Sequence, residues 1–384
     1  MKITVLTAFP EFFRSFLETS IVGKAVERGL LEVSVVDLRG YGEGDYRRID
    51  DYSFGGNGGM VLMAEPLTKA LEDLNDPSYV VYPSPQGVTL TQEIVESIST
   101  KDHLVIVCGH YEGVDERFVG SKVDMELSIG DYVLTGGELP AMVVIDSVSR
   151  LIPGVVGKGR AVVEDSFYRG MLDNPHFTRP AEWRDMKVPP VLLSGNDKEI
   201  ELWRRRESVS RTLTRRPDLM ARASLRDYLE KGYYVLWSPP DKIDPSALRT
   251  IVDGCVSYGV SKLLIPVVDG IRRDSLRALV SELKVDSTVK LFPSYQRGLE
   301  WIAKKEKATP FSVSMGKGKG EASLSWIEVK MEFLSRRCPG VFVFGDFVEG
   351  DVVMRPVAGD DRDRSALPVQ NAVSVVLDRF FGWR

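Results

Sequence analysis

Cysteine and histidine are scarce in this chain: three of each in 384 residues. Cys108, Cys255 and Cys338 are far apart, odd in number and set in apolar stretches. That excludes a disulfide framework and a Cys-x-x-Cys zinc module, and leaves reduced core thiols. His103, His110 and His176 have no metal-ligand spacing. Long hydrophobic runs are also missing. The longest, such as Ala141–Ile145 and Val341–Phe344, fall far short of the roughly 20 residues that span a bilayer. The start, Met1-Lys2-Ile3-Thr4-Val5-Leu6, has no small-residue cleavage site and leads directly into an apolar strand pattern. A cytoplasmic protein with no signal peptide and no membrane partner is expected. Two nucleotide signatures are absent as well. No Gly-x-x-x-x-Gly-Lys-Ser/Thr occurs, and no Gly-x-Gly-x-x-Gly joins a strand to a helix, which argues against P-loop and dinucleotide-binding chemistry.

The net charge of −5 argues against a protein that coats nucleic acid indiscriminately, but the charge is uneven. Residues 1–230 carry 27 Lys and Arg against 36 Asp and Glu, a net −9; residues 231–384 carry 23 against 19, a net +4. Within the acidic part, Trp203–Arg216 holds six arginines against Glu207 alone. Such a segment suits phosphate contacts, and equally a solvated helix face.

Length and patterning point to two α/β domains around a small helical one. Strands are predicted at Ile3–Ala8, Leu31–Val36, Tyr79–Tyr82 and Leu104–Cys108. Helices are predicted at Glu11–Glu27, Thr91–Ser99 and Leu139–Leu151. Alternation of this kind implies a parallel sheet covered on both faces. Residues 1–160 form this first domain, and 161–175 lie in a polar, glycine-containing linker. Residues 176–230 read as helical with no strand pattern. Residues 231–384 resume the alternation, with strands at Tyr233–Trp237, Lys262–Val267, Val289–Phe292 and Val341–Phe344. Helices there are predicted at Arg272–Leu283, Tyr295–Lys304, Ser325–Arg337 and Val369–Phe381.

Three glycine-bearing loops stand out in the first domain: Pro83–Gly87, Gly109–Gly113, and Ser128–Gly137 running into Glu138-Leu139-Pro140. Each alone could be a tight turn. In a parallel sheet, however, they gather at the carboxyl ends of the strands, where ligands bind, and glycine allows a backbone to approach a ligand closely. Ionisable residues cluster beside them: Glu112, Asp115, Glu116, Arg117, Arg150, Glu164 and Asp165. A carboxylate in a linker that folds over a pocket is a better general-base candidate than one on a helix face.

Taken in order, these motifs resemble the bacterial tRNA (guanine-37-N-1)-methyltransferases of the trefoil-knotted SPOUT class. The resemblance covers roughly residues 1–220. It rests on Phe9-Pro10-Glu11, Asp50-Asp51, Gly55-Gly56 through Gly59-Met60, Ser84-Pro85-Gln86-Gly87 and Tyr111-Glu112-Gly113 with Asp115-Glu116-Arg117. It continues through Ser128–Pro140, Asp146–Arg150, Pro153-Gly154-Val155, Glu164–Phe167, Pro175-His176, Thr178-Arg179-Pro180 and Val188–Asn196. The resemblance implies a homodimer that methylates N-1 of guanine 37 in tRNA with S-adenosylmethionine. It implies a donor pocket of Tyr82, Ser84, Pro85, Gly109, Gly113, Ile129, Gly130, Tyr132, Leu134, Gly136, Gly137 and Pro140. It further implies Asp165 as general base, Arg150 stabilising charge on guanine O-6, and Glu112 linked to a magnesium requirement. Asp173 and His176 would position guanine or RNA, and Arg204, Arg205, Arg211 and Arg215 would grip the anticodon arm. For Asp165 to act, its pKa should exceed the free value of about 3.9, which burial beside the substrate would provide. Three positions depart from the pattern: His110 stands where arginine is common, Asn57-Gly58 replaces Gly-Pro, and Pro83 replaces leucine.

Residues 231–384 resemble, more weakly, an RNA methyltransferase-like SPOUT domain. Pro266-Val267, Val341–Gly345, Arg355–Gly359 and Val369–Gly382 carry the likeness. Acidic Asp346, Glu349 and Asp351 crowd the loop after its strand, and Asp360–Arg364 is densely charged. Loss of donor binding is therefore expected there, with a role in RNA binding or dimerisation; the net +4 and Lys304-Lys305-Glu306-Lys307 suit RNA.

Overall fold

The computed structural model describes residues 1–55, 58–156, 165–167, 170–314, 323–345, 351–354 and 368–382. The chain folds as two compact units, Met1–Tyr168 and Arg169–Arg384.

The first unit contains strands β1 (Lys2–Thr7), β2 (Glu32–Asp37), β3 (Asp50–Tyr52), β4 (Met60–Leu62), β5 (Tyr79–Thr89), β6 (His103–Val107) and β7 (Met125–Ser128). Its helices are α1 (Arg14–Glu18), α2 (Ser20–Glu27), α3 (Ala64–Glu72), α4 (Gln92–Ser99), α5 (Glu116–Lys122) and α6 (Glu138–Ser149). Five strands form a parallel sheet in the order β2-β1-β6-β5-β7, and β3 and β4 form a separate antiparallel pair. Every residue of β6 is buried, because helices cover both faces of the sheet. Ile3, Val5, Leu104 and Ile106 pack on one face with Ala141, Val144, Ile145 and Val148 of α6. Leu6, Val105 and Val107 pack on the other with Leu67 and Ala70 of α3 and Phe118 of α5.

Two local features differ from expectation. The predicted helix Glu11–Glu27 is broken into a 3-10 turn (Pro10–Phe13), α1 and α2. Ser20 takes a left-handed φ of 58°, and the Thr19 hydroxyl donates to the Ser15 carbonyl, a local bond that competes with helix continuation. The strand predicted to stop at Tyr82 runs on to Thr89. Pro83 and Val88 both face Leu127 of β7, so residues 84–87 bulge from the ladder, as at many functional sites.

The second unit contains β8 (Glu182–Trp183), β9 (Met186–Lys187), β10 (Tyr233–Trp237), β11 (Lys262–Pro266), β12 (Val289–Phe292), β13 (Phe311–Ser314), β14 (Ser323–Leu324), β15 (Gly340–Phe344) and β16 (Val352–Met354). Its helices are α7 (Asp197–Arg215), α8 (Pro245–Ser257), α9 (Gly270–Glu282), α10 (Tyr295–Glu306), α11 (Trp326–Arg336) and α12 (Val369–Phe381). Seven strands make a second parallel sheet, ordered β12-β11-β10-β15-β13-β16-β14. Edge strand β12 carries Lys290, whose ammonium lies 4.2 Å from the Trp301 ring centroid.

The segment expected to be purely helical, 176–230, also contains the β8–β9 hairpin, turned by Arg184 and Asp185 with φ of 49° and 66°. Two consecutive left-handed residues are the signature of a tight hairpin turn, but Arg-Asp lacks the Asn-Gly chemistry that announces one. The same segment does not enclose a core of its own. Val209, Met220, Ala223 and Leu225 join the core of the second sheet with Tyr233, Val235, Phe342 and Phe380. Buried Lys330 donates to the Ala223 carbonyl and lies over the rings of Trp326 and Phe380. Among the described residues no helix is long and apolar enough to cross a membrane.

Candidate active site

The carboxyl ends of β5, β6 and β7 bring the three glycine loops together. Tyr82 is buried in β5, and its ring lies where a Cβ on Gly109 would stand, at 2.9 Å; burial pushes its hydroxyl pKa up. Ser84, in the bulge, is buried and accepts from the Gln86 amide at 3.2 Å, whereas Pro85 is exposed. After β6, the Gly113 amide donates to the His110 carbonyl at 3.0 Å, and the Gly113 carbonyl accepts from Leu62 at 3.0 Å. After β7, the Ser128 hydroxyl contacts both the amide and the carbonyl of Gly130. Gly130 has φ 149°, and the Tyr132 ring occupies the space a Cβ there would need. Ile129 is half-buried, Tyr132 and Leu134 are exposed, and Pro140 is buried in the first turn of α6.

The second and third loops are zipped together. Gly137 donates to the Gly109 carbonyl at 2.8 Å, and His110 bridges Gly136 antiparallel. A Cβ on Gly137 would lie 2.7 Å from the Gly109 nitrogen, so only glycine allows this approach.

Beneath the zipper lies a group that sequence reasoning missed. Glu138, the first residue of α6, is 2% exposed. Its Oε1 accepts from the Thr7 hydroxyl at 2.7 Å, and its Oε2 lies 2.7 Å from His110 Nε2. Buried Cys108 lies beside it, with its thiol pKa pushed up by burial and by Glu138. The available signal was Glu138 directly after two glycines at a helix start, a position that also suits a solvated carboxylate.

Arg150 closes α6 at its C-cap and forms an ion pair with Asp165. Both side chains are nearly half exposed, so Asp165 is less buried here than its expected role called for. Glu164 and Asn57 lie outside the described residues. Glu112 is exposed, its amide bonded to the Met60 carbonyl and its side chain against Gly59. Among the described residues no three His, Cys, Asp or Glu side chains converge as metal ligands.

The remaining predicted residues belong to the second unit. Asp173 Oδ2 lies 2.7 Å from His176 Nε2, and Asp173 Oδ1 accepts from the backbone and side chain of Asn174. Burial pushes the Asp173 carboxyl up, but the hydrogen bonds from His176 and Asn174 outweigh it and hold it below the usual range. On α7, Arg205 pairs with Glu201 and Arg206 with Glu230. Arg204 and Arg215 are exposed and Arg211 half-buried, and none of the three makes an ion pair among the described residues. The charged stretches Asp346–Gly350 and Asp360–Arg364 lie outside the described residues.

Residues 1–222 match the family model described as tRNA (guanine-1)-methyltransferase TrmD. The chain is 51% identical over 240 residues to the tRNA (guanine-N(1)-)-methyltransferase of Moorella thermoacetica, covering 60% of this chain and 96% of that protein. It is 51% identical to the proteins of the same name from Fusobacterium nucleatum, over 59% of this chain and 93% of the relative, and Brevibacillus brevis, over 60% and 96%. Residues 223–384 lie beyond the match to the family model.

Proposed function

The chain belongs to the tRNA (guanine-1)-methyltransferase family, and on that premise we propose that it methylates N-1 of guanine 37 in tRNA, using S-adenosylmethionine. The observation that carries this reading is the ion pair of Arg150 and Asp165 at the carboxyl end of α6, the helix whose amino end follows the third glycine loop. Guanine presents N-1–H and O-6 on neighbouring ring atoms, a donor next to an acceptor. A carboxylate and a guanidinium already side by side match that edge. Asp165 takes the N-1 proton, and Arg150 meets the negative charge that grows on O-6. The guanine edge takes over the contacts that the two side chains make with each other.

The donor supplies an electrophilic methyl group. Its pocket is formed by Tyr82, Ser84, Pro85, Gly109, Gly113, Ile129, Gly130, Tyr132, Leu134, Gly136, Gly137 and Pro140. The gathering of the three loops supports that assignment, with Gly113 and Gly130 at positive φ and the Tyr82 and Tyr132 rings packed where Cβ atoms on Gly109 and Gly130 would stand. The trefoil knot is part of the same reading, supported by the close crossing of the 109 and 137 backbones. So is the homodimer, supported by Leu139 and Val143, which α6 leaves half exposed. Asp173 and His176 position guanine or RNA, and Arg204, Arg205, Arg211 and Arg215 contact RNA phosphates. Residues 231–384 serve RNA binding or dimerisation without binding the donor, and the enzyme acts in the cytoplasm.

The test is transfer of labelled methyl to unmodified tRNA carrying guanine at position 37 and to a transcript with adenine there. Incorporation that requires the guanine is expected. No incorporation into either would sink the proposal, and incorporation into the adenine transcript would place a second activity in the protein.

A further inference from the structure

The buried Glu138 belongs to neither the proposed donor contacts nor the proposed proton transfer, yet it sits under the loops assigned to the donor. Its carboxylate is bound from two directions by side chains of different loops: Thr7 from the end of β1 and His110 from the loop after β6. It is itself the first residue after Gly136-Gly137, at the amino end of α6. A carboxylate taken out of water needs such partners. The helix amino terminus also favours its charge. Three chain segments far apart in sequence are thus held by one buried group.

His110 has a second function in this arrangement. Its ring occupies the space beside Gly136, where a Cβ would lie 2.6 Å from the imidazole. The other side of the ring packs on Phe9 at 4.6 Å between centroids, and Tyr111 approaches its edge at 5.9 Å. Arg39 lies on Phe9 at 4.9 Å. The imidazole therefore cannot turn away from Glu138 without disturbing either the Gly136 backbone or the aromatic contacts. Its side chain is only 15% exposed.

We propose that His110 and Glu138 are positioning residues that fix the spacing between the Gly109–Gly113 loop and the Ile129–Gly137 loop, and so set the affinity for the methyl donor. The inference rests on the donor-pocket reading above. His110 acts through Glu138 and the loop backbones, not on the reacting atoms. Removing the imidazole leaves the buried carboxylate with the Thr7 hydroxyl alone, and the two loops lose the side-chain tie that reinforces the bond from Gly137 to Gly109.

The experiment measures S-adenosylmethionine binding by calorimetry and methyl transfer to tRNA for the wild-type full chain, His110→Ala and His110→Arg, with a thermal melt of each. His110→Ala is expected to weaken donor binding about tenfold or more, while kcat at saturating donor and KM for tRNA stay within about threefold of wild type. His110→Arg keeps a hydrogen-bond donor opposite Glu138 and is expected to recover most of the lost affinity. Should His110→Ala fail to fold, Thr7→Val removes the other hydrogen bond to Glu138 and is expected to weaken donor binding by a smaller factor. Unchanged donor affinity in a folded His110→Ala, or a loss carried entirely by kcat, overturns the inference alone. An arginine variant that binds no better than the alanine variant also overturns it. A wild-type chain that binds no donor overturns the donor-pocket reading, and this inference with it.

Discussion

The two units are built on the same plan, a parallel sheet wrapped by helices, yet they use buried charge in opposite ways. The first buries an anion: Glu138 is held by a hydroxyl and an imidazole from two other segments, directly under the loops that gather at the strand ends. The second buries a cation: Lys330 lies in the core against the Ala223 carbonyl and two aromatic rings. The anion ties together loops that are themselves glycine-rich and close to one another. The cation ties the helical segment 176–230 to the second sheet. One charge organises a site and the other organises an interface between elements, which is why a shared fold says little about shared chemistry.

The largest expected effect comes from the ion pair of the first unit. Asp165→Asn should lower kcat for methyl transfer by about 10²–10⁴-fold, the range for a lost general base, with little change in donor affinity by calorimetry. Arg150→Ala should cost about 10²–10³-fold in kcat. If Asp165→Asn transfers methyl groups at the wild-type rate, the complementary-edge mechanism is wrong even if guanine is still required.

The counterpart in the second unit is Lys330→Ala. It removes a buried stem and leaves a carbonyl without its donor, so it should cost about 2–5 kcal/mol of stability. The comparison predicts that the loss appears in the melting of the second unit, while donor affinity measured well below that transition is unchanged. A fall in donor affinity would show that the buried cation also serves the site.

A smaller effect is expected at Glu230. Two hydrogen bonds from Arg206 hold its carboxyl below the ordinary value of 4.5. A carboxylate with a lowered pKa in the folded protein contributes its full stabilisation above the unfolded value and loses it as pH falls through the folded value. Acid titration of the melting temperature should therefore show a loss below about pH 4.5 that Glu230→Gln lacks. Because Arg206 is more than a third exposed, the difference should not exceed about 1 kcal/mol.

Much of the framework was legible because buried parallel strands announce themselves as short, continuous apolar runs. Tyr233–Trp237 and Val289–Phe292 fall where the pattern puts them, and Thr91 and Ser325 cap helices at the predicted starts. The 84–87 bulge was not legible, since it depends on how β5 meets β7 rather than on its own residues. The β8–β9 hairpin was hidden by its Arg-Asp turn. At the site, residue types and order indicated the loops; Arg150 and Asp165 were singled out by the family resemblance, and their pairing was not anticipated. The contacts around Glu138 could not be read, because its partners are 131 and 28 residues away along the chain.

Lys290 has a consequence of a different kind. A strand at the margin of a sheet offers unpaired amides and carbonyls to any other extended chain, and β12, Val-Lys-Leu-Phe, is such a strand. The lysine in its middle places a solvated charge in the path of an incoming strand while its stem and ammonium cover Trp301. A mutation to valine there would make the margin continuously apolar and uncover the indole. The cost of that change would appear not in the folded monomer but in a crowded cell, as aggregation of newly made chains.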